Sequence, residues 1–202
     1  MDHLWTPWRY AYVTQPKDQN PEANPETNPD TREARAGVPA ALAAWPGDHH
    51  CVFCNLIAAA DYAIEHGMTA EEADRAANIV LRGKSCYICL NAYPYTSGHV
   101  LIVPYAHEGS FSALAAETAQ EMMALAQRTA LALERAYSPD GTNLGLNLGK
   151  AAGAGVADHL HMHLLPRWFG DTNFMTVTSE TRVLPEILER SWQRLREAFA
   201  GI

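Results

Sequence analysis

Residues 158–168 read DHLHMHLLPRW, with His159, His161 and His163 alternating with Leu160, Met162 and Leu164. Successive side chains on a β-strand point to opposite faces, so positions i, i+2 and i+4 line one side. On a helix the three imidazoles would be scattered around the axis. The alternation therefore predicts a strand whose apolar residues pack the core while His159, His161 and His163 share a face that is a site. Imidazole serves as nucleophile, general acid or metal ligand, and a row of three can divide those roles.

Outward from this strand the chain keeps changing period. NLGLNLG (143–149) reads as a strand and GKAAGAGVAD (149–158) as a Gly/Ala loop, whose small residues let backbone N–H groups approach an anion. SALAAETAQEMMALAQRTALALERAY (112–137) has apolar residues at spacings of three and four, with Glu117 and Glu121 early and Arg135 late, which predicts the long helix of the fold. HVLIVPY (99–105) is a buried strand that Pro104 ends, and NIVLRGKSCYICLN (78–91) is two strands around Arg82-Gly83-Lys84. Residues 56–77 predict one or two short helices, with Thr69 as an N-cap. MTVTSETRVL (175–184) predicts a further short strand, and PEILERSWQRLREAFA (185–200) an amphipathic helix with Pro185 in its first turn. The sum is an α+β fold: a mostly antiparallel sheet of about five strands, one long helix packed over it and a C-terminal helix.

At the other end, Trp5, Trp8, Tyr10 and Tyr12 cluster ahead of TQPKDQNPEANPETNPDTREARAG (14–37), which has almost nothing to bury and reads as a flexible loop. The expected division is an aromatic segment with its Pro/Asn/Glu-rich loop at 1–46, and one domain at 47–202 carrying a cysteine knuckle and a C-terminal extension. PAALAAW (39–45) is a candidate short helix before the knuckle.

The formal charge of −8 argues against an electrostatic grip on a nucleic-acid backbone, although a local cluster of histidines and amides can still hold a small phosphate. No apolar run approaches a membrane span, and MDHLWTPWRY lacks the basic start and apolar stretch of a secretory signal, so the expected location is the cytoplasm. The four cysteines form two C-x-x-C pairs, Cys51/Cys54 and Cys86/Cys89. In a reducing compartment that spacing points to metal or redox chemistry before disulfides. Cys86 and Cys89 sit in a β-prone run where i and i+3 face opposite sides, so they read as core residues. Cys51 and Cys54 follow the loop signal WPGD (45–48), where a knuckle can hold zinc.

Taken together, these segments resemble the histidine triad (HIT) superfamily, whose signature of three histidines separated by apolar residues stands here as His159 to Leu165. LNAYPYTSGHVLIVPYAH (90–107) resembles that family's central hairpin and residues 143–174 its C-terminal half. LWTPWRYAYV (4–13) and PRWFGDTNF (166–174) look most like the bacterial branch containing diadenosine tetraphosphate phosphorylases. The resemblance covers roughly residues 85–190, the extreme N-terminus and the knuckle. It implies that His161 is the nucleophile that becomes transiently nucleotidylated. His163 would contact the phosphate and assist the leaving oxygen, and Asn147 would stand near both. Asn91 would bind the ribose, the amides of Gly153, Ala154, Gly155 and Val156 the non-bridging oxygens, and His99 would orient a neighbour from behind. In zinc-bearing members the matching ligands are Cys51, Cys54, His107 and His159, a closed structural set; from the residues alone, His49 or His50 could replace His107. Many members carry a Ser or Thr five or six residues before the nucleophile, where this chain has Gly155 and Val156. The missing hydroxyl bears on which acceptor and leaving group are used.

The expected activity is nucleotidyl transfer on dinucleoside polyphosphates of the diadenosine tetraphosphate type, with release to inorganic phosphate or water. Magnesium is expected to accompany the substrate, and a homodimer to form by analogy with relatives. The alternatives are a purine nucleoside phosphoramidate hydrolase of the same fold and a nucleotide-binding protein without turnover.

Overall fold

The computed structural model describes residues 36–171 and 186–202. The expectations for the N-terminal aromatic segment, for most of its loop and for the strand at 175–184 lie outside these residues. Five antiparallel strands form one sheet: β1 (Ile79–Arg82), β2 (Cys86–Leu90), β3 (Val100–Pro104), β4 (Gly141–Leu146) and β5 (Met162–Arg167), in the order β1-β2-β3-β5-β4. Among the described residues four α-helices accompany it: α1 (Val52–Glu65), α2 (Ala70–Ala76), α3 (Ala116–Tyr137) and α4 (Leu188–Ala200). The expected α+β architecture is the observed one. No helix among the described residues is long and apolar enough to cross a membrane.

Strand alternation sorts the core into two layers. Cys86, Ile88, Val100, Ile102, Met162 and Leu164 pack one face of the sheet against Met122, Leu133, Trp192 and Leu195 of α3 and α4. Tyr87, Cys89, Leu101 and Val103 face the other way, against Phe53, Ala59 and Ala60 of α1 and Ala73 of α2. Cys86 and Cys89 thus lie on opposite faces, as the i, i+3 spacing requires, and burial pushes each thiol up to about 12. A 3₁₀ turn at Ala40–Leu42 stands where a short helix was expected, and Leu42 and Trp45 belong to the second layer.

Four boundaries differ from expectation. The Cys51/Cys54 knuckle is the start of α1 itself: Cys51 is the N-cap and Cys54 lies in the first turn, so the helix begins four residues before the Ala-rich stretch. The long helix begins at Ala116, and α4 begins at Leu188 with Ile187 as N-cap, three residues beyond Pro185. The histidine strand proper begins only at Met162. Val100, Leu101 and Ile102 pair with Leu164, His163 and Met162, and continuing that register sets Leu160 opposite Pro104. Pro104 has no N–H to offer, and its carbonyl accepts a bond from the His159 ring (Nε2 to O, 2.9 Å). Leu160 N–H turns instead to Glu108 O at 2.7 Å.

The Thr69 N-cap does form, as a full capping box with Glu72 ahead of α2. The 105–110 loop and the approach to β5 meet at Gly109, where a Cβ would stand 2.8 Å from Ala157 O. Gly109→Ala is therefore expected to lower Tm by several degrees, through a forced backbone shift of about 1–3 kcal/mol. Gly141→Ala, where nothing lies within 4 Å of the added carbon, should leave it nearly unchanged; equal melting curves for both variants would refute the packing argument.

Candidate active site and metal centre

His159, His161 and His163 stand on the sheet face covered by α1, at the point where β5 emerges from beneath the 105–110 loop. His161 is 7% exposed and its ring lies 5.0 Å from that of Phe53. Its Nδ1 is 2.9 Å from His159 O, and a carbonyl can only accept, so Nδ1 carries the proton and Nε2 the lone pair. Burial lowers the pKa of His161 against the opposing pull of that carbonyl, which favours the neutral ring.

His163 is oriented from behind. The Tyr95 backbone N–H donates to His99 Nδ1 at 3.1 Å, so His99, fully buried, carries its proton on Nε2. That Nε2 lies 3.0 Å from His163 Nδ1 and donates to it. His163 Nδ1 is then an acceptor, and the proton of its neutral ring sits on Nε2. The two neighbouring imidazoles, 5.0 Å apart between centroids, are held in opposite tautomers. One presents a lone pair at Nε2 and the other an N–H. Tyr95, stacked on His163 at 6.0 Å and 13°, shapes this chain; sequence reasoning passed over it.

Other expected residues sit as follows. Continuing the β4–β5 register, in which Gly145 faces His163 and Leu146 faces Met162, sets half-buried Asn147 opposite His161, one residue past the strand. Asn91 is turned inward: its Oδ1 accepts from Tyr93 N–H at 3.0 Å and its Nδ2 is 3.4 Å from His99 Nδ1. In the Gly/Ala loop a 3₁₀ turn spans Lys150–Ala152 and Gly153 takes a positive φ of 86°. The N–H groups of Gly153 and Ala154 donate back to Lys150 O and Gly149 O at 3.0 and 3.3 Å, so within this loop they close the turn. Val156 packs against the second core layer.

Cys51, Cys54, His107 and His159 converge, their ligand atoms all within 4.8 Å of one another. Cys51 Sγ lies 3.3 Å from His159 Nδ1, and Cys54 Sγ lies 3.5 Å from the same atom and 3.4 Å from His107 Nδ1. A tetrahedral zinc ion with ordinary Zn–S and Zn–N bonds separates S and N ligands by about 3.6 Å, so the set fits that ion. The bond from His159 Nε2–H to Pro104 O leaves Nδ1 unprotonated and facing the thiols, the arrangement a ligating imidazole requires. Burial and the neighbouring Cys51 push the Cys54 thiol up to about 11, since two thiols this close cannot both ionise without a cation between them. The alternatives fall away: His50 is an exposed partner of Asp48 and His49 lies against Trp45, neither within the group.

Sequence reasoning also missed Phe53 and Asn55. Asn55 is fully buried; its Nδ2 donates to Ala36 O and Asp48 Oδ1, and its Oδ1 accepts from His49 N–H at 2.7 Å, fixing the loop that leads into Cys51. An aromatic inside the C-x-x-C pair was the available signal for Phe53.

Comparison with known proteins places this geometry among others. The HIT domain family model matches residues 72–170. An AP-4-A phosphorylase of Mycobacterium tuberculosis is 41% identical over 128 residues, 63% of this chain; the chain covers 66% of that protein's length, just short of two thirds. A HIT-like protein of the same species is 31% identical over 150 residues, 74% of this chain and 93% of its own. A zinc-bound histidine triad family protein from Mycobacterium smegmatis superposes with a TM-score of 0.55 at 30% identity, covering 75% of this chain and 94% of its own.

Proposed function

This chain belongs to the HIT domain family, and on that footing we propose that it is a nucleotidyl transferase that cleaves dinucleoside polyphosphates of the diadenosine tetraphosphate type. The observation that carries the proposal is the pair of opposite tautomers at His161 and His163. The name of the 41% identical mycobacterial relative supports the substrate class.

In the first step the His161 Nε2 lone pair attacks an α-phosphorus, and the bond to the bridging oxygen breaks. ATP leaves as its anion, its departing oxygen accepting a hydrogen bond from the His163 Nε2–H, and the adenylyl group stays on His161. His99, donating to His163 Nδ1, keeps that N–H turned toward the leaving oxygen. In the second step inorganic phosphate attacks the adenylyl phosphorus, forming ADP and freeing the imidazole. Covalent catalysis thereby divides one displacement into two in-line ones. Asn147 would reach the phosphate beside His161, Asn91 the ribose after release of its internal contacts, and the amides around Gly153, Ala154, Gly155 and Val156 the non-bridging oxygens after the loop opens its turn. Cys51, Cys54, His107 and His159 would hold a structural zinc, and with four protein ligands such an ion has no open position for substrate. Magnesium is assigned no protein ligand and would travel with the polyphosphate. A cytoplasmic, reducing setting would keep the four free thiols intact.

The test is incubation with diadenosine tetraphosphate, with and without phosphate. ADP plus ATP formed only with phosphate supports phosphorolysis, and AMP plus ATP supports hydrolysis. Cleavage of adenosine phosphoramidates alone would transfer the reading to a phosphoramidate hydrolase. Binding without any turnover would leave only a nucleotide-binding protein.

We assign the expected homodimer to the outer edge of the sheet, where β4 is exposed along nearly its whole length and carries Leu144 at 49% exposure. Asn143→Pro should shift the sedimentation coefficient toward that of one chain; an unchanged dimer would exclude this edge.

A further inference from the structure

We propose that Phe53 is a positioning residue for the nucleophile, tying the orientation of the His161 ring to the geometry of the Cys51–Cys54 knuckle; the proposal rests on His161 being the nucleophile. Phe53 lies between the two thiols in sequence and is almost fully buried. Its backbone is fixed from two sides. Asn55 N–H closes the first turn of α1 onto Cys51 O at 2.8 Å, and Phe53 O accepts from the Tyr87 hydroxyl of β2 at 3.0 Å. Its ring therefore has a defined place, and that place is against two histidines: 5.4 Å and edge-on to His159, 5.0 Å and tilted by 44° to His161.

His161 needs such support because it precedes β5, and the ladder that fixes His163 stops at Met162. Two connections run to it from the knuckle. One is through His159, whose ring faces both thiols while its carbonyl accepts His161 Nδ1–H. The other is the Phe53 ring, which fills the space into which the imidazole would otherwise turn. Rotating the ring away from Phe53 breaks the bond to His159 O and frees both tautomers, only one of which carries the lone pair at Nε2. The knuckle, loaded with an ion, would hold both connections at once.

The experiment is nitrogen NMR of the full, ligand-free chain labelled in histidine, at a pH where the imidazoles are neutral, with His161→Asn assigning the signal. The zinc-loaded wild type should show His161 protonated at Nδ1 alone. After chelation, and in zinc-loaded Phe53→Ala and the milder Phe53→Leu, the two ring-nitrogen shifts should move toward one another as both tautomers become populated. Restoring zinc should restore the wild type and neither variant. In parallel kcat should fall about 10- to 100-fold in the variants with KM little changed. A single Nδ1–H tautomer retained in both variants, with KM raised instead, would overturn the proposal and make Phe53 a wall for substrate. A wild type that never forms a nucleotidyl-enzyme would refute the function reading, while the tautomer comparison would still decide this one.

Discussion

His161→Ala is expected to abolish turnover of diadenosine tetraphosphate, by about 10⁴-fold or more, and to leave no adenylyl group on the protein after incubation with labelled substrate. The size follows from what is removed. The step loses its nucleophile, because among the three histidines only His161 presents a lone pair at Nε2, His159 turning that nitrogen to Pro104 O and His163 carrying its proton there. Truncation of that ring leaves the apolar layers on both faces of the sheet in place, so Tm should change far less than activity. Undiminished labelling in the variant would move the covalent step to another side chain.

His163→Gln separates the two histidines. A lost hydrogen-bond donor to the leaving oxygen costs about 10²–10³-fold, and the cost scales with how much charge that oxygen develops. An adenosine 5′-phosphoryl ester of an acidic phenol should therefore be cleaved by His163→Gln at a rate much closer to wild type than diadenosine tetraphosphate is. His161→Ala should be inert toward both. If His163→Gln slows the two substrates equally, the chain from Tyr95 through His99 aims no hydrogen bond at the leaving oxygen and serves only to hold the ring.

The sheet was legible wherever a short β-prone apolar run was bounded by a turn or by Pro104, as in β1, β2 and β3. So was the long helix, where the spacing of apolar residues ran for more than five turns. The knuckle's position was not. Cys51 caps a helix whose first turn, Val52 to Asn55, reads locally as a β-prone apolar run, and only packing against Tyr87 and the second core layer makes it helical. The alternation at 158–164 identified the face that the three histidines share, yet it could not show that the ladder stops at Met162, because the reason lies 55 residues away in the missing N–H of Pro104. The residues named for the centre, Cys51, Cys54, His107 and His159, do assemble, but the resemblance carried His107; its spacing alone did not distinguish it from His49 and His50. Phe53, Tyr95 and Asn55 carry no chemistry of their own. Their importance is a matter of which ring or amide they touch, and no single sequence displays that.

Loss of an ion from the group Cys51, Cys54, His107 and His159 should cost about as much stability as truncating a large side chain of the apolar layers. An ion present at a thousandfold its Kd adds about 4 kcal/mol to the folded state, which for a body of this size corresponds to roughly 8–16 °C in Tm. The centre joins three segments far apart in the chain: the start of α1, the loop after β3, and the approach to β5. Leu160 N–H to Glu108 O and His159 to Pro104 O already tie the last two together, while the thiols of α1 meet the imidazoles only at 3.3 to 3.5 Å without an ion. Chelation of the purified protein, and each of Cys51→Ser, Cys54→Ser and His107→Ala, should lower Tm by about ten degrees and reduce bound zinc from one per chain toward none. His50→Ala should do neither, because that ring is exposed against Asp48. Cys89→Ala should lower Tm modestly, by the loss of one buried sulfur, with zinc content unchanged, since its thiol faces the α1 layer outside the ligand group. The two cysteine pairs thus make opposite predictions from the same spacing. Full zinc content in Cys54→Ser, or a melting curve indifferent to chelation, would show that the four side chains converge for packing alone.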